Sequence, residues 1–213
     1  MLDTFAEFLK QRLSSGLPGE AAHLRMAPAG RTATSEYLSK LKVKPRPSAV
    51  LILFFPGERE IHTVLIKRPP YEGVHSGQIA FPGGKSEEQD LTIDDTALRE
   101  AREETGIDPA EVTVLGHLST LYIPPSNFLV TPVLGFTSRQ PDWLPDPREV
   151  ESIITPPLPH LLDDSIIGEE DFKGSSGTWS IRAPYFRVDG HAVWGATAMI
   201  ISELKDVVAA YYR

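Results

Sequence analysis

Apolar residues at positions 2, 5, 6, 9 and 13 recur at helical spacing and predict a helix over Leu2–Leu13. Ser14–Gly30 follows, rich in glycine and proline, and reads as a loop that wraps the body. The pattern then changes period. Ser48–Phe55 is almost continuously apolar, as in a strand buried on both faces, and Pro56-Gly57 ends it. Thr63–Ile66 reads as its partner, and Val112–Leu121 and Leu129–Phe136 read as two long strands joined by Pro124-Pro125-Ser126-Asn127. Glu151–Thr155 reads as a short strand, Leu158–Leu162 as a short helix and Trp179–Val188 as a further strand or hairpin arm. A last helix runs over Ala196–Tyr211, with Met199, Ile200, Leu204, Val207 and Val208 available for a core face. Helices at both ends and in the middle of a mixed set of strands predict an α/β protein, a three-layer α/β/α sandwich with a mixed sheet. Residues 1–47 form an N-terminal helix and wrapping extension in this reading, and 48–213 the main domain.

The middle helix carries the chemistry. Asp94 and Asp95 are natural N-cap and first-turn residues and Gly106 a natural C-cap, which predicts a helix over about Asp95–Thr105. Ala97, Leu98 and Ala101 form its buried stripe. Glu100, Glu103 and Glu104, spaced i, i+3, i+4, then fall together on the adjoining wet side. Like charges so spaced disfavour one another, each pair by a few tenths of a kcal/mol (about 0.2–0.5) on an exposed helix. Clustered oxygen ligands suit a hard divalent cation, Mg²⁺ or Mn²⁺, still partly hydrated and free to grip phosphate. The competing reading is a solvated acidic face. Arg99 reaches Glu103 at i+4 and fixes a carboxylate rotamer.

Upstream lies Phe81-Pro82-Gly83-Gly84-Lys85, then a polar loop from Ser86 to Asp90. Glycine pair, loop, and Arg99-Glu100-Ala101-Arg102-Glu103-Glu104-Thr105-Gly106-Ile107 together resemble the Nudix box, the signature of hydrolases acting on a nucleoside diphosphate linked to another moiety. The first half departs from the pattern. Lys85 and Leu91 stand where the family has glycine and glutamate, and Gly84 and Asp90 lie one residue too early, so the loop is one residue longer and Asp90 is assigned no role. The preceding segment, Leu65–Gly84, resembles the second signature of the coenzyme A pyrophosphatase branch, through Arg68, His75, Gly77 and Phe81-Pro82-Gly83-Gly84. Pro184-Tyr185-Phe186 and Trp194–Ala198 also resemble that branch.

The resemblance implies the Nudix α/β/α sandwich and metal-dependent cleavage of a phosphoanhydride. It implies Mg²⁺ or Mn²⁺ on Glu100, Glu103 and Glu104 and on a backbone carbonyl at Gly83 or Gly84, with Arg99 beside them. A glutamate from a later loop serves as base in some members. Glu149 is the choice here, Glu151 its competitor, and a solvated surface carboxylate the bland alternative. His75, Gly77 and Gln78 are implied to recognise the coenzyme A part; Arg68, at a strand end beside Lys67, is of a type to grip phosphate, and Lys85 either does so or faces water. Tyr185 and Trp194 read as core aromatics, with adenine stacking as the alternative. A homodimer through the N-terminal helix is expected by analogy alone.

Composition narrows the partners. The 213 residues carry a net charge of −8, which argues against broad electrostatic binding to nucleic acid or an anionic membrane. A polyanionic substrate meeting an acidic protein needs a cation or a local basic patch. There is no cysteine for disulfide or thiolate chemistry, and the first residues lack an apolar core for export, so a cytoplasmic protein is expected. Gly83-Gly84-Lys85-Ser86 mimics the tail of a P-loop, but Ile79 stands where that motif needs glycine. Three functions remain: hydrolysis of coenzyme A or its derivatives to 3′,5′-ADP and (acyl-)4′-phosphopantetheine, a broader diphosphatase for ADP-ribose, NADH or nucleotide sugars, and a non-catalytic nucleotide-binding module.

Overall fold

The computed structural model describes residues 2–70, 77–173 and 180–212. Three helices open the chain, α1 (Leu2–Ser14), α2 (Glu20–Arg25) and α3 (Thr34–Lys40). Strands β1 (Arg46–Pro56), β2 (Ile61–Thr63), β3 (Leu65–Lys67), β4 (Ile79–Ala80) and β5 (Gly83–Lys85) lead to helix α4 (Ile93–Thr105). Then come β6 (Thr113–His117), β7 (Leu121–Ile123), β8 (Phe128–Phe136), β9 (Ser152–Ile154) and α5 (Leu158–Leu162). Strands β10 (Ile167–Lys173), β11 (Ser180–Val188) and β12 (His191–Trp194) and helix α6 (Gly195–Val208) complete it.

The organising element is β1. Its parallel partner is β8, with Ile52 opposite Leu134, while β2 and β5 pair with it antiparallel, so the central sheet is mixed. Successive side chains of a strand face opposite ways. Ala49, Leu51, Leu53 and Phe55 therefore enter one core with Ala97 and Ala101 of α4, and Ile52 and Phe54 enter the other with Phe5 and Leu9 of α1 and Ile200 and Leu204 of α6. Both faces are covered, which is why the strand reads as unbroken apolar sequence. The architecture is the expected α/β/α sandwich. No helix among the described residues is long and apolar enough to cross a membrane.

Several expectations are corrected. Thr63–Ile66 is not one partner of β1: Ile61–Thr63 pairs there, and Leu65–Lys67 crosses to a small sheet with β4 and β9. The chain changes sheets at Val64, between Thr63, opposite Phe54, and Leu65, opposite Ile154. The expected strand over Val112–Leu121 is broken into β6 and β7, with a register shift between Val114 and Gly116. Within the supposed loop Ser14–Gly30, Glu20–Arg25 is helical. The strand expected from Trp179 is described from Ser180, and β10 escaped the pattern because its Gly-Glu-Glu-Asp run is largely exposed. Helix α1 buries Phe5, Ala6 and Leu9 inside this chain.

Candidate active site

Helix α4 starts two residues earlier than expected, because Thr92 rather than an aspartate caps it. The Thr92 hydroxyl accepts from the Asp95 N–H, and the Asp95 carboxylate accepts from the Thr92 N–H at 2.8 Å. Its far end matches the expectation: Gly106 has φ of 78° and its N–H returns to the Arg102 carbonyl.

The three glutamates of α4 do not share one environment. Glu104 is 1% exposed, so the expected wet side is wrong for this residue. Strand β5 covers it: the Gly83 N–H donates to its Oε2 at 2.7 Å, and Arg68 lies 3.0 Å from its Oε1. Burial pushes its pKa up to about 7, against the pull of Arg68 and the Gly83 N–H and with help from the negative charges of Glu100 and Glu149. Glu100 is also raised, by burial first, while Arg99 opposes and Glu103 and Glu149 add to the rise. Its carboxylate lies so close to Gly84 that a Cβ there would collide with it. Glu103 is half exposed and turned to Arg99 at 3.1 Å.

Arg99 is the hub. It donates to Glu100 at 2.9 Å, to Glu103, to the Lys85 carbonyl at 3.0 Å, and through two nitrogens to Asp90. Asp90, to which the sequence assigned nothing, is the residue that seats it. Its carboxyl is held far below the ordinary range, chiefly by Arg99. The capped turn before α4 brings it there, and Thr96 also donates to it.

A cleft of about 1050 Å³ opens over this end of α4, lined by Arg68, Gly77, Gln78, Gly83, Gly84, Lys85, Glu100, Glu104 and Glu149. Arg68 does not stand free in it, being bound to Glu104 and to the Gly83 carbonyl. Gln78 accepts the Arg68 N–H through its own carbonyl, and exposed Lys85 has Glu87 at 3.8 Å. Glu149 lines the cleft, whereas its competitor Glu151 is paired with Lys67 at 2.6 Å. His75 lies outside the described residues. Tyr185 is a core residue whose hydroxyl accepts from Arg187, but Trp194 is a wall of the cleft, stacked on Phe172 with centroids 4.3 Å apart.

In chemistry the donor set fits a hard divalent cation: carboxylate oxygens crowded enough to raise one another's pKa. As the side chains stand, no three acidic or histidine groups among the described residues converge on one point, and the Glu103 carboxylate is engaged by Arg99. The Gly84 carbonyl accepts from the Ser48 hydroxyl at 2.5 Å.

A glycine-pair strand laid over a helix of glutamates, inside an α/β/α sandwich, defines a Nudix-type domain. The chain belongs to the Nudix family: residues 45–162 match the NUDIX domain. It is 34% identical over 174 residues to the human mitochondrial coenzyme A diphosphatase NUDT8, covering 80% of this chain and 73% of that protein. Nudix hydrolase 22, chloroplastic, of Arabidopsis thaliana is 31% identical over 178 residues, covering 81% of this chain and 59% of that one, so the chain spans less than two thirds of this relative's length. The uncharacterized Nudix hydrolase NudL of Yersinia enterocolitica is 31% identical, covering 84% and 95% of the two chains. In fold, the chain resembles the crystal structure of the Nudix hydrolase RenU of M. smegmatis, with a TM-score of 0.54 at 18% identity, over 78% of this chain and 87% of that one. Nudix hydrolases generally use divalent metals.

Proposed function

We propose that this chain is a divalent-metal-dependent pyrophosphohydrolase that cuts the diphosphate of coenzyme A or its derivatives, giving 3′,5′-ADP and (acyl-)4′-phosphopantetheine. The observation that carries the reading is the carboxylate pair of partly buried Glu100 and buried Glu104 at the base of a large cleft, with Glu149 facing it. The coenzyme A branch is supported by the segment from Arg68 to Gly77 and by similarity to a coenzyme A diphosphatase.

Glu100, Glu103 and Glu104, with the Gly84 carbonyl, would hold Mg²⁺ or Mn²⁺, which supplies charge neutralisation at the diphosphate oxygens and a more acidic water. The chain's own residues prepare the site. The Gly83 N–H and Arg68 fix the Glu104 carboxylate, and Arg99, braced by Asp90, fixes Glu100 and Glu103. Glu149, exposed and within the field of Glu100 and Glu104, is the proposed acceptor of the proton of the attacking water. Lys85 is the proposed cationic contact to phosphate.

A substrate panel with Mg²⁺ or Mn²⁺ and analysis of which phosphate each product carries tests the proposal. Coenzyme A is expected to turn over fastest, yielding 3′,5′-ADP. Faster hydrolysis of ADP-ribose or a nucleoside triphosphate overturns the substrate assignment, and hydrolysis unchanged in Glu103→Gln overturns the metal assignment.

A further inference from the structure

Among the described residues, Arg31 is a cation without a counter-charge. It ends the turn Pro28–Arg31, which the Ala29 N–H ties to the Arg182 carbonyl on β11 at 2.8 Å. Its Nη2 donates to the Tyr122 carbonyl, its guanidinium lies 5.2 Å over the Tyr37 ring, and its Nε is buried without a hydrogen-bond partner. Among the described residues no carboxylate comes within ion-pair distance of it. Burial lowers its pKa, and only the two neighbouring tyrosines act the other way. A desolvated charge is unfavourable unless something pairs with it. The arginines at the glutamate end are all paired, Arg68 with Glu104 and Arg99 with Asp90, Glu100 and Glu103.

Arg31 and the glutamates line the same cleft. Sheet register sets their separation. Strand β5 pairs with β1, β1 with β8 and β8 with β7, and Lys85–Ser48–Val130–Leu121 form one row across the four. Tyr122, which holds Arg31, follows Leu121. Three strand steps make about 14 Å between the β5 glycine pair and β7, whose Tyr122 carbonyl accepts from Arg31. A substrate whose diphosphate lies at Glu100 and Glu104 would reach Arg31 only with a part roughly one nucleoside further along.

We propose that Arg31 is a second phosphate-binding position, which takes a phosphate monoester on the ribose of the substrate's nucleotide half. The assignment rests on the diphosphate lying at the glutamates, as proposed above, and it makes ribose-phosphorylated adenosine diphosphates the preferred substrate class. A guanidinium suits this role because it can present two N–H groups to phosphate oxygens and keeps its charge when desolvated. Arg31 lies outside the stretch that matches the NUDIX domain, so this selectivity is supplied by the N-terminal segment rather than by the catalytic box.

The test is calorimetric binding of 3′,5′-ADP and of 5′-AMP to the whole chain and to Arg31→Gln and Arg31→Lys, folding being checked by thermal melting. The unaltered protein is expected to bind 3′,5′-ADP about tenfold more tightly than AMP. Arg31→Gln brings that ratio close to one with AMP affinity unchanged, and Arg31→Lys keeps part of it. An unchanged ratio in Arg31→Gln, equal weakening of both nucleotides, or no preference in the unaltered protein overturns the proposal. If Arg31→Gln fails to fold, the ratio is read from Arg31→Lys, where no fall overturns it. Comparison with 2′,5′-ADP shows which ribose hydroxyl bears the phosphate. Hydrolysis of coenzyme A and 3′-dephospho-coenzyme A is followed in parallel: a protein that cuts neither fails as a coenzyme A diphosphatase, while the binding ratio still decides the role of Arg31.

Discussion

Asp90 grips Arg99 at two points, Oδ1 to Nε at 2.9 Å and Oδ2 to Nη2 at 3.0 Å, and thereby aims the remaining guanidinium nitrogen at Glu100 and Glu103. Fork-to-carboxylate pairing of this kind sets orientation as well as charge. Asp90 is thus a positioning residue that acts through Arg99. Asp90→Asn keeps the shape but weakens the grip, and kcat is expected to fall about tenfold, equivalent to about 1.4 kcal/mol, with little change in KM. Steady-state kinetics with a saturating divalent cation checks this; an unchanged kcat refutes it.

Glu104 illustrates the opposition of stability and function. Its carboxylate is buried and its pKa stands near 7, so a neutral amide relieves the metal-free fold while removing a charge the reaction needs. Glu104→Gln is expected to melt no lower than the parent in the presence of a chelator, and to lose about a hundredfold or more in activity. A paired measurement of melting and turnover decides it.

The same shift fixes a pH dependence. A carboxyl with a folded pKa near 7, against an ordinary value of 4.5, binds its proton more tightly when folded. Its stabilising contribution is present in full below about pH 4.5 and is lost as pH rises through 7, by up to about 1.4 kcal/mol per unit in that window. Glu100, also raised, acts in the same direction. Glu203 is lowered despite its burial, because His23, Ser119 and the Gly19 N–H favour its charged form, and its contribution is lost only as pH falls below the ordinary range. The metal-free protein should therefore melt at a higher temperature at pH 5.5 than at pH 7.5, and a divalent cation should stabilise it far more at pH 7.5. Melting curves with chelator and with Mg²⁺ at both pH values would show otherwise if the glutamates are not the cation ligands.

The two glycines of β5 separate folding from function. Gly83 has φ of 155° and a Cβ there would strike the Ala49 carbonyl and the Val50 backbone, so Gly83→Ala is expected to cost at least about 1–3 kcal/mol of stability. At Gly84 the three atoms nearest the added carbon all belong to the Glu100 carboxylate, the far end of a side chain. Gly84→Ala is expected to fold nearly normally but to displace Glu100 and lose activity. Chemical denaturation together with kinetics on both variants tests the contrast.

Behind the sheet, Glu203 on α6 is fully buried and accepts from Gly19, Ser119 and His23, the last at 3.0 Å. Glu203→Ala strands all three partners and is expected to destabilise the fold by about 3–5 kcal/mol, read from urea denaturation.

Residues that act through their neighbours in sequence were legible. The apolar run of β1, the spacing of Glu100, Glu103 and Glu104, the Gly106 cap and the glycine pair all follow from period and turn chemistry, which depend on a few adjacent positions. Asp90 was missed because its partnership with Arg99 spans nine positions through a loop of non-standard length. The exposed acidic strand β10 carried no period to read.

Sequence alone determined that β1, β8, α4 and α6 form, that three carboxylates share a helix, and which family signature they resemble. It could not say what covers that helix. The cover comes from β5, whose Gly83 N–H lies 21 residues before Glu104. Spacing along a chain fixes the face a side chain takes on its own helix. Burial, and with it the pKa of Glu104 and the coupling of Glu100 to Glu149, depends on which distant backbone packs over that face, and only the assembled sandwich decides it.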